Sequence, residues 1–80
     1  MYKVSTDDRL ENAAEYGMME IDLFLWKHAI DKLERNGLKV TKLFPSRKGE
    51  YYCKICWKDG KEGTQAYNLR KMALEAKSKI

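Results

Sequence analysis

Residues 51–58 read YYCKICWK, and their side chains divide into two sets that alternate along the chain. A period of two predicts a β-strand with one buried face. The set expected to face a core is Tyr51, Cys53, Ile55 and Trp57. The set expected to face outward is Tyr52, Lys54, Cys56 and Lys58. This stretch therefore predicts a sheet with one covered face and one open, partly basic face.

The segment before this strand predicts its hairpin partner. Leu38, Val40 and Phe44 share one face of a strand by the same period of two. The break between the two strands is residues 45–49, which read PSRKG. Lys42 and Leu43 interrupt the alternation, which predicts a bulge or twist near the end of the first strand.

The first part of the chain predicts one long helix. It is expected to begin near Asp7, because residues 5–8 (STDD) supply acceptors and negative charge for the free amides of a helix start. An apolar stripe at alternating steps of four and three consists of Met19, Leu23, Trp26, Ile30 and Leu33. We expect the helix to reach about Asn36, with Gly37 as its cap and Gly17 as a possible bend or break.

The same segment carries more apolar surface than one small sheet is expected to cover. A second apolar stripe consists of Ala14, Met18, Ile21, Leu25 and Ala29. Phe24 lies beside it. We therefore expect a homodimer through the first helix, or a bound protein partner, with Phe24 among the contacts.

The end of the chain is expected to be helical, with two alternatives for its start. A turn at Asp59-Gly60 could lead into a short third strand through residues 61–66, with Asn68 capping a helix from residue 69. Otherwise Thr64 caps a helix that begins at Gln65. Either alternative gives an α+β fold: one domain, residues 1–80, with a long N-terminal helix, an antiparallel β-hairpin and a C-terminal helix, both helices packed on one face of the sheet.

Charge is distributed unevenly between the two parts of the chain. Residues 1–36 carry five Lys and Arg against eight Asp and Glu, a net charge of −3; residues 37–80 carry eleven against four, a net charge of +7. A concentrated positive field attracts polyanions, and an aromatic among lysines on an open sheet can stack bases. The residues expected to contact nucleic acid are Lys39, Arg47, Lys48, Tyr52, Lys54, Lys58, Arg70 and Lys71.

The sequence contains few residues in a pattern that indicates a catalytic or metal site. Cys53 and Cys56 form a C-x-x-C, but residues three apart in a strand point to opposite faces, and a second cysteine pair is absent. His28 is the only histidine and is interpreted as a helix-surface residue near Asp31. We therefore expect no enzyme activity, no cofactor and no metal site.

The leading hypothesis is a small, non-enzymatic nucleic-acid-binding protein with a regulatory or accessory role, using the basic hairpin and the final helix. The alternative is a protein-interaction module or inhibitor that acts through the apolar, acidic N-terminal helix. The sequence leaves DNA and RNA equally open. An intracellular, cytoplasmic location is expected, because two cysteines and the absence of a leader fit a reducing compartment. Membrane insertion is not expected, because Glu20, Asp22 and Lys27 interrupt the most apolar segment.

Overall fold

The structure is a computed structural model that describes residues 5–78. Within that range the elements, in chain order, are α1 (Thr6–Glu15), β1 (Glu20–Trp26), α2 (Lys27–Arg35), β2 (Lys39–Arg47), β3 (Glu50–Cys56) and α3 (Gln65–Ser78). The α+β class is confirmed. In the described part of the chain, no helix is long and apolar enough to cross a membrane.

The sheet has three strands, with β3 in the centre and β1 and β2 at its edges. Both edge strands pair antiparallel with β3. One core lies between the sheet and the helices, where Leu10 of α1, Ile30 of α2 and Leu69 of α3 meet Cys53 and Ile55 of the central strand. The helices therefore cover one face of the sheet, which leaves the other face open.

The prediction of one long N-terminal helix is wrong. α1 ends at Glu15, and Gly17 takes a positive φ of 83°, a conformation that glycine adopts without steric cost. Residues 20–26 (EIDLFLW) then form a strand because they pair along their whole length with β3. Trp57 holds the entry to this strand: its indole Nε1 donates to the Met18 carbonyl at 2.9 Å and its amide donates to the Met19 carbonyl at 3.0 Å.

The start of the last helix follows the second alternative. α3 begins at Gln65, and the Thr64 hydroxyl accepts a hydrogen bond from the Tyr67 amide at 3.2 Å, which is the geometry of an N-cap. The residues proposed for a short third strand form turns before Gln65. The third strand of the sheet is β1 instead, from the segment predicted to be helical.

The hairpin is confirmed, with one correction to its faces and one to its turn: β2 continues to Arg47, so the predicted break at residues 45–49 is shortened to Lys48 and Gly49. Cys53, Ile55 and Trp57 are buried, as predicted for the inner set. The register shifts between Lys42 and Phe44, where the sequence predicts a bulge. The extra residue turns Phe44 to the open face, so its prediction as a partner of Leu38 and Val40 is wrong.

Candidate nucleic-acid interface

The open side of the sheet, here called the outer face, is built by alternate residues of all three strands. β1 contributes Glu20, Asp22, Phe24 and Trp26; β3 contributes Glu50, Tyr52, Lys54 and Cys56; β2 contributes Lys39, Thr41, Phe44 and Arg47. These positions share a face because residues directly opposite one another in a ladder project to the same side. Within the described range no helix packs on this side, so its side chains meet solvent.

Three aromatic side chains cross the outer face in one line, here called the aromatic row. Phe24, Tyr52 and Phe44 are register partners on β1, β3 and β2. The ring centroids of Phe24 and Tyr52 lie 4.8 Å apart, with the rings tilted by 55°. Those of Phe44 and Tyr52 lie 5.1 Å apart in a stacked arrangement, at 25°. Phe24 is 56% exposed and Phe44 51%, so the row is accessible to a partner.

Trp26 extends this apolar surface toward the β2–β3 turn. It is the residue of β1 that pairs with Glu50, and it is 44% exposed. A Cβ placed on Gly49 would lie 3.7 Å from the indole ring, so the ring rests against the turn. Gly49 has a φ of 83°, which suits glycine at this tight turn. The tip of the hairpin thus places Lys48 close to a large aromatic surface.

The charges of the outer face are polarised between its two edges. On this face β1 has the acids Glu20 and Asp22 and no base, whereas β2 has Lys39 and Arg47 and no acid. At the centre, the Lys54 ammonium lies 3.5 Å from the Glu20 carboxylate. A polyanion is therefore favoured along the β2 edge and disfavoured at the first residues of β1.

At the hairpin tip, Arg47 forms an ion pair with a residue of the next strand. Its Nε lies 3.2 Å from the Glu50 carboxylate. Lys42 projects to the other side of β2, with its register partner Cys53, and its ammonium lies 4.8 Å from the centroid of the Tyr51 ring, within cation–π distance. Lys39 and Lys48 are exposed at the two ends of β2. The β2 edge is thus a line of cations beside the aromatic row.

The structure separates the sequence-predicted nucleic-acid residues into three groups. Those on the sheet or its turn are Lys39, Arg47, Lys48, Tyr52 and Lys54. Lys58 follows the end of β3, in the turn after Trp57. Arg70 and Lys71 lie on α3, in the helical layer on the far side of the sheet.

Arg70 is also engaged within the fold. Its guanidinium donates to the Gly60 carbonyl at 3.5 Å and lies 5.9 Å from the centroid of the Tyr67 ring. Phe24, expected on the first helix as a partner contact, is exposed on β1. It therefore shares a surface with Tyr52 rather than with α1.

Sequence reasoning misses three outer-face residues as parts of this surface. Phe24 and Trp26 fall in the predicted helix, although EIDLFLW places Ile21, Leu23 and Leu25 at alternate positions, the signal of a strand. The predicted alternation puts Phe44 on the inner face. Carrying the predicted bulge through to the next residue would move it outward, because one extra residue reverses the face of all that follow.

The two cysteines lie on opposite sides of β3, as their spacing predicts. Cys53 is fully buried in the core, and Cys56 is half-buried on the outer face. Burial raises the pKa of the Cys53 thiol above its ordinary value, with the charge of Lys42 acting in the opposite direction. The two sulfurs could reach one metal ion only if β3 were broken between them.

His28 is exposed on α2, as expected for a surface histidine. It borders a shallow depression between the start of α1 and the side of α2, which Asp7 and Lys32 also line. The Asp7 carboxylate accepts a hydrogen bond from Gln65 Nε2 at 3.0 Å, so this acid links α1 to α3.

Comparison of the chain with protein-family models, curated proteins and solved structures gives no match. A function must therefore be inferred from the residues and geometry of the outer face.

Proposed function

We propose that the protein binds single-stranded nucleic acid on the outer face of its sheet. The observation that carries this proposal is the aromatic row, in which Phe24, Tyr52 and Phe44 stand side by side on three adjacent strands. Every nucleobase has a π-face, so such a row accepts bases of any identity. Bases inside a duplex are stacked on one another and cannot lie on it, which favours single strands.

The backbone of the bound strand follows the β2 edge. On the outer face, Lys39 and Arg47 lie along this edge, and Lys48 follows at the turn. Ammonium and guanidinium groups neutralise phosphates, while the acids Glu20 and Asp22 keep the backbone away from β1. In the proposed path of the bound strand, the bases lie over Tyr52 and Phe44, and the phosphates lie beyond these rings along the β2 edge. The proposed role is binding without catalysis, as a regulatory or accessory protein, and the proposal does not distinguish RNA from DNA.

The test is binding of a fluorescent single-stranded oligonucleotide of about eight nucleotides, within the usual site size of a small single-strand-binding domain. Phe44→Ala should lose about 1–3 kcal/mol of binding free energy because it removes an exposed ring, and Tyr52→Ala should lose a similar amount because it removes the ring packed between Phe24 and Phe44. Tyr16→Ala is the matched control, because Tyr16 is 85% exposed after α1 and lies off the outer face. A matched duplex should bind more weakly than the single strand at the same salt concentration.

The charge contribution has its own readout. Replacing Lys39 and Lys48 together by Gln should flatten the dependence of log affinity on log salt by about 1.4, at about 0.7 per phosphate contact on a single strand. Lys71→Gln on α3 is the control and should leave the slope unchanged. If Lys71→Gln flattened the salt dependence as much as the double substitution does, the nucleic acid would lie on the helical layer, which would contradict the proposed path. Failure of the wild-type protein to bind any single strand at low salt and micromolar concentration would refute the proposal.

A protein partner is the second candidate, and a separate observation favours it. Tyr16 and Met18 are exposed large side chains in the connection between α1 and β1. They lie in the segment that the sequence indicates as an interaction surface. If Tyr16→Ala abolished association with a copurifying protein while Phe44→Ala had no effect, the partner surface would be this connection rather than the outer face.

A further inference from the structure

We infer that the outer face also binds a second copy of the same chain, and that this dimer competes with nucleic acid. The dimer itself does not depend on the proposed function, whereas the competition does. The argument comes from the arrangement of charge on the face. β1 has acids at its first residues, and β2 has Lys39 at the matching level of the sheet, since Glu20 and Lys39 both pair with Cys56.

A two-fold axis parallel to the strands makes this face complementary to itself. Such an axis, passing beside the central strand, exchanges the two edges, so β1 of one copy lies over β2 of the other. Glu20 then faces Lys39 of the second copy, and symmetry repeats that contact. Phe24 faces the second copy's Phe44 at the level of the aromatic row. Tyr52 and Lys54 of the central strand lie at the axis, and each Lys54 ammonium stays 3.5 Å from the Glu20 carboxylate of its own chain, which offsets the charge of the facing Lys54.

The alternative two-fold axis, perpendicular to the strands, does not give this match. It lays β1 of one copy antiparallel on β1 of the other, so the charged end, Glu20, meets the aromatic end, Trp26. Buried carboxylates facing rings have no partner and are costly to desolvate. The charge pattern therefore selects the axis parallel to the strands.

The polar end of the face is close to neutral, which allows it to be covered. It has the carboxylates of Glu20 and Asp22 and the ammonium groups of Lys39 and Lys54, with Lys54 already 3.5 Å from Glu20. The rest of the face is the aromatic row and Trp26, with the Arg47–Glu50 ion pair level with Trp26. Such a surface, with an aromatic middle and balanced charges at both ends, suits an aligned packing of two sheets.

The size of the face sets the expected strength. Three strands at about 4.8 Å spacing and seven residues at about 3.3 Å rise give a face of about 14 by 23 Å. That is about 320 Å² per copy, less than half of the roughly 800 Å² per partner of a standard interface, so the dimer should be weak and reversible, with a dissociation constant on the order of 100 μM. A weak dimer can release the aromatic row when a ligand with higher affinity is present.

The test uses a charge exchange between two variants. Lys39→Glu alone sets two carboxylates against each other across the interface, and Glu20→Lys alone sets two ammonium groups together. Each variant alone should dimerise at least about tenfold more weakly than the wild type, because the repulsion occurs twice. An equimolar mixture should recover dimerisation, because both contacts become attractive in the mixed pair. Sedimentation equilibrium over a concentration series measures all four samples.

Lys71→Glu on α3 is the matched control and should dimerise like the wild type, and circular dichroism checks that each variant is folded. A wild type that stays monomeric at millimolar concentration would overturn the inference. So would single variants that dimerise like the wild type, or a mixture that fails to recover.

The competition is tested by adding the oligonucleotide of about eight nucleotides to wild-type dimer. Monomer–oligonucleotide complexes are the expected result. A complex containing two chains with the aromatic row still required for binding would refute the competition. A dimer that persists because no oligonucleotide binds would refute the proposed function and leave the dimer standing.

Discussion

Gly60→Ala should strongly destabilise the protein, because this glycine lets the backbone of the turn after Trp57 touch the first turn of α3. A Cβ on Gly60 would lie 2.4 Å from the Ala66 carbonyl carbon, 2.5 Å from the Tyr67 nitrogen and 2.7 Å from the Ala66 oxygen. All three are backbone atoms, so no side-chain rotation can relieve the contact. Either the turn or α3 must move as a unit.

The magnitude follows from what such a movement disturbs. Ala66, Leu69 and Ala73 of α3 are buried, and the Ala66 amide donates to the Asn36 carbonyl at 3.2 Å. Inserting an atom into a packed interior costs about 1–3 kcal/mol, and rigid neighbours place this site at the upper end. At about 4–8 °C per kcal/mol for a domain of this size, Tm should fall by about 12–24 °C.

Gly63→Ala provides the control with the same chemical change. Its φ is 90°, but no atom lies within 4 Å of the added Cβ. It should lose only the cost of a left-handed backbone, about 1–2 kcal/mol. Both substitutions stiffen the unfolded chain equally, so the difference between them reports the native contact. Thermal unfolding followed by circular dichroism measures both; a Tm for Gly60→Ala at or above that of Gly63→Ala would refute the close approach of α3.

The hairpin could be predicted because both of its signals are local. A period of two marks the buried side of β3, and the interruption at Lys42 and Leu43 marks the bulge. Tyr52 and Lys54 follow directly as outward residues. These conclusions need no knowledge of distant contacts, since the hairpin partner is adjacent in the chain.

β1 could not be predicted from the apolar spacing used for the first part of the chain. Met19, Leu23, Trp26, Ile30 and Leu33 match a helical stripe, yet they span a strand and a helix that meet at residue 27. The match arises because β1 is apolar on both faces at its end. What makes the segment a strand is its pairing with β3, about thirty residues away in the chain, and propensity does not encode such a pairing.

Only the part of the candidate site that lies on the hairpin could be predicted. Tyr52 and the cations of the hairpin could be identified, because they belong to the predicted strands. The aromatic row could not, since it combines Phe24 and Phe44, which come from strands on opposite edges of the sheet. Charge counting groups Arg70 and Lys71 with the hairpin, but a count along the chain does not say which layer of the fold a residue occupies.

Three further outcomes are expected. Trp57→Phe should lower the free energy of unfolding in urea by about 1.5–3 kcal/mol, because it removes the indole hydrogen bond to the Met18 carbonyl and leaves a void in the core. An unchanged urea midpoint would show that this hydrogen bond does not stabilise the fold. In the native protein a thiol reagent should modify Cys56 well before Cys53, which is fully buried; comparison of Cys53→Ala with Cys56→Ala by mass spectrometry measures this, and faster modification of Cys53 would place it outside the core. The pH dependence follows from the raised pKa of the Cys53 thiol: the folded state keeps a proton that the unfolded chain loses above its ordinary pKa of 9.0. This stabilisation is complete below that pKa and is lost as pH rises through the folded-state pKa, so the free energy of unfolding should fall more steeply above about pH 9 in the wild type than in Cys53→Ala. Parallel curves for the two proteins would mean that the thiol is not desolvated by folding.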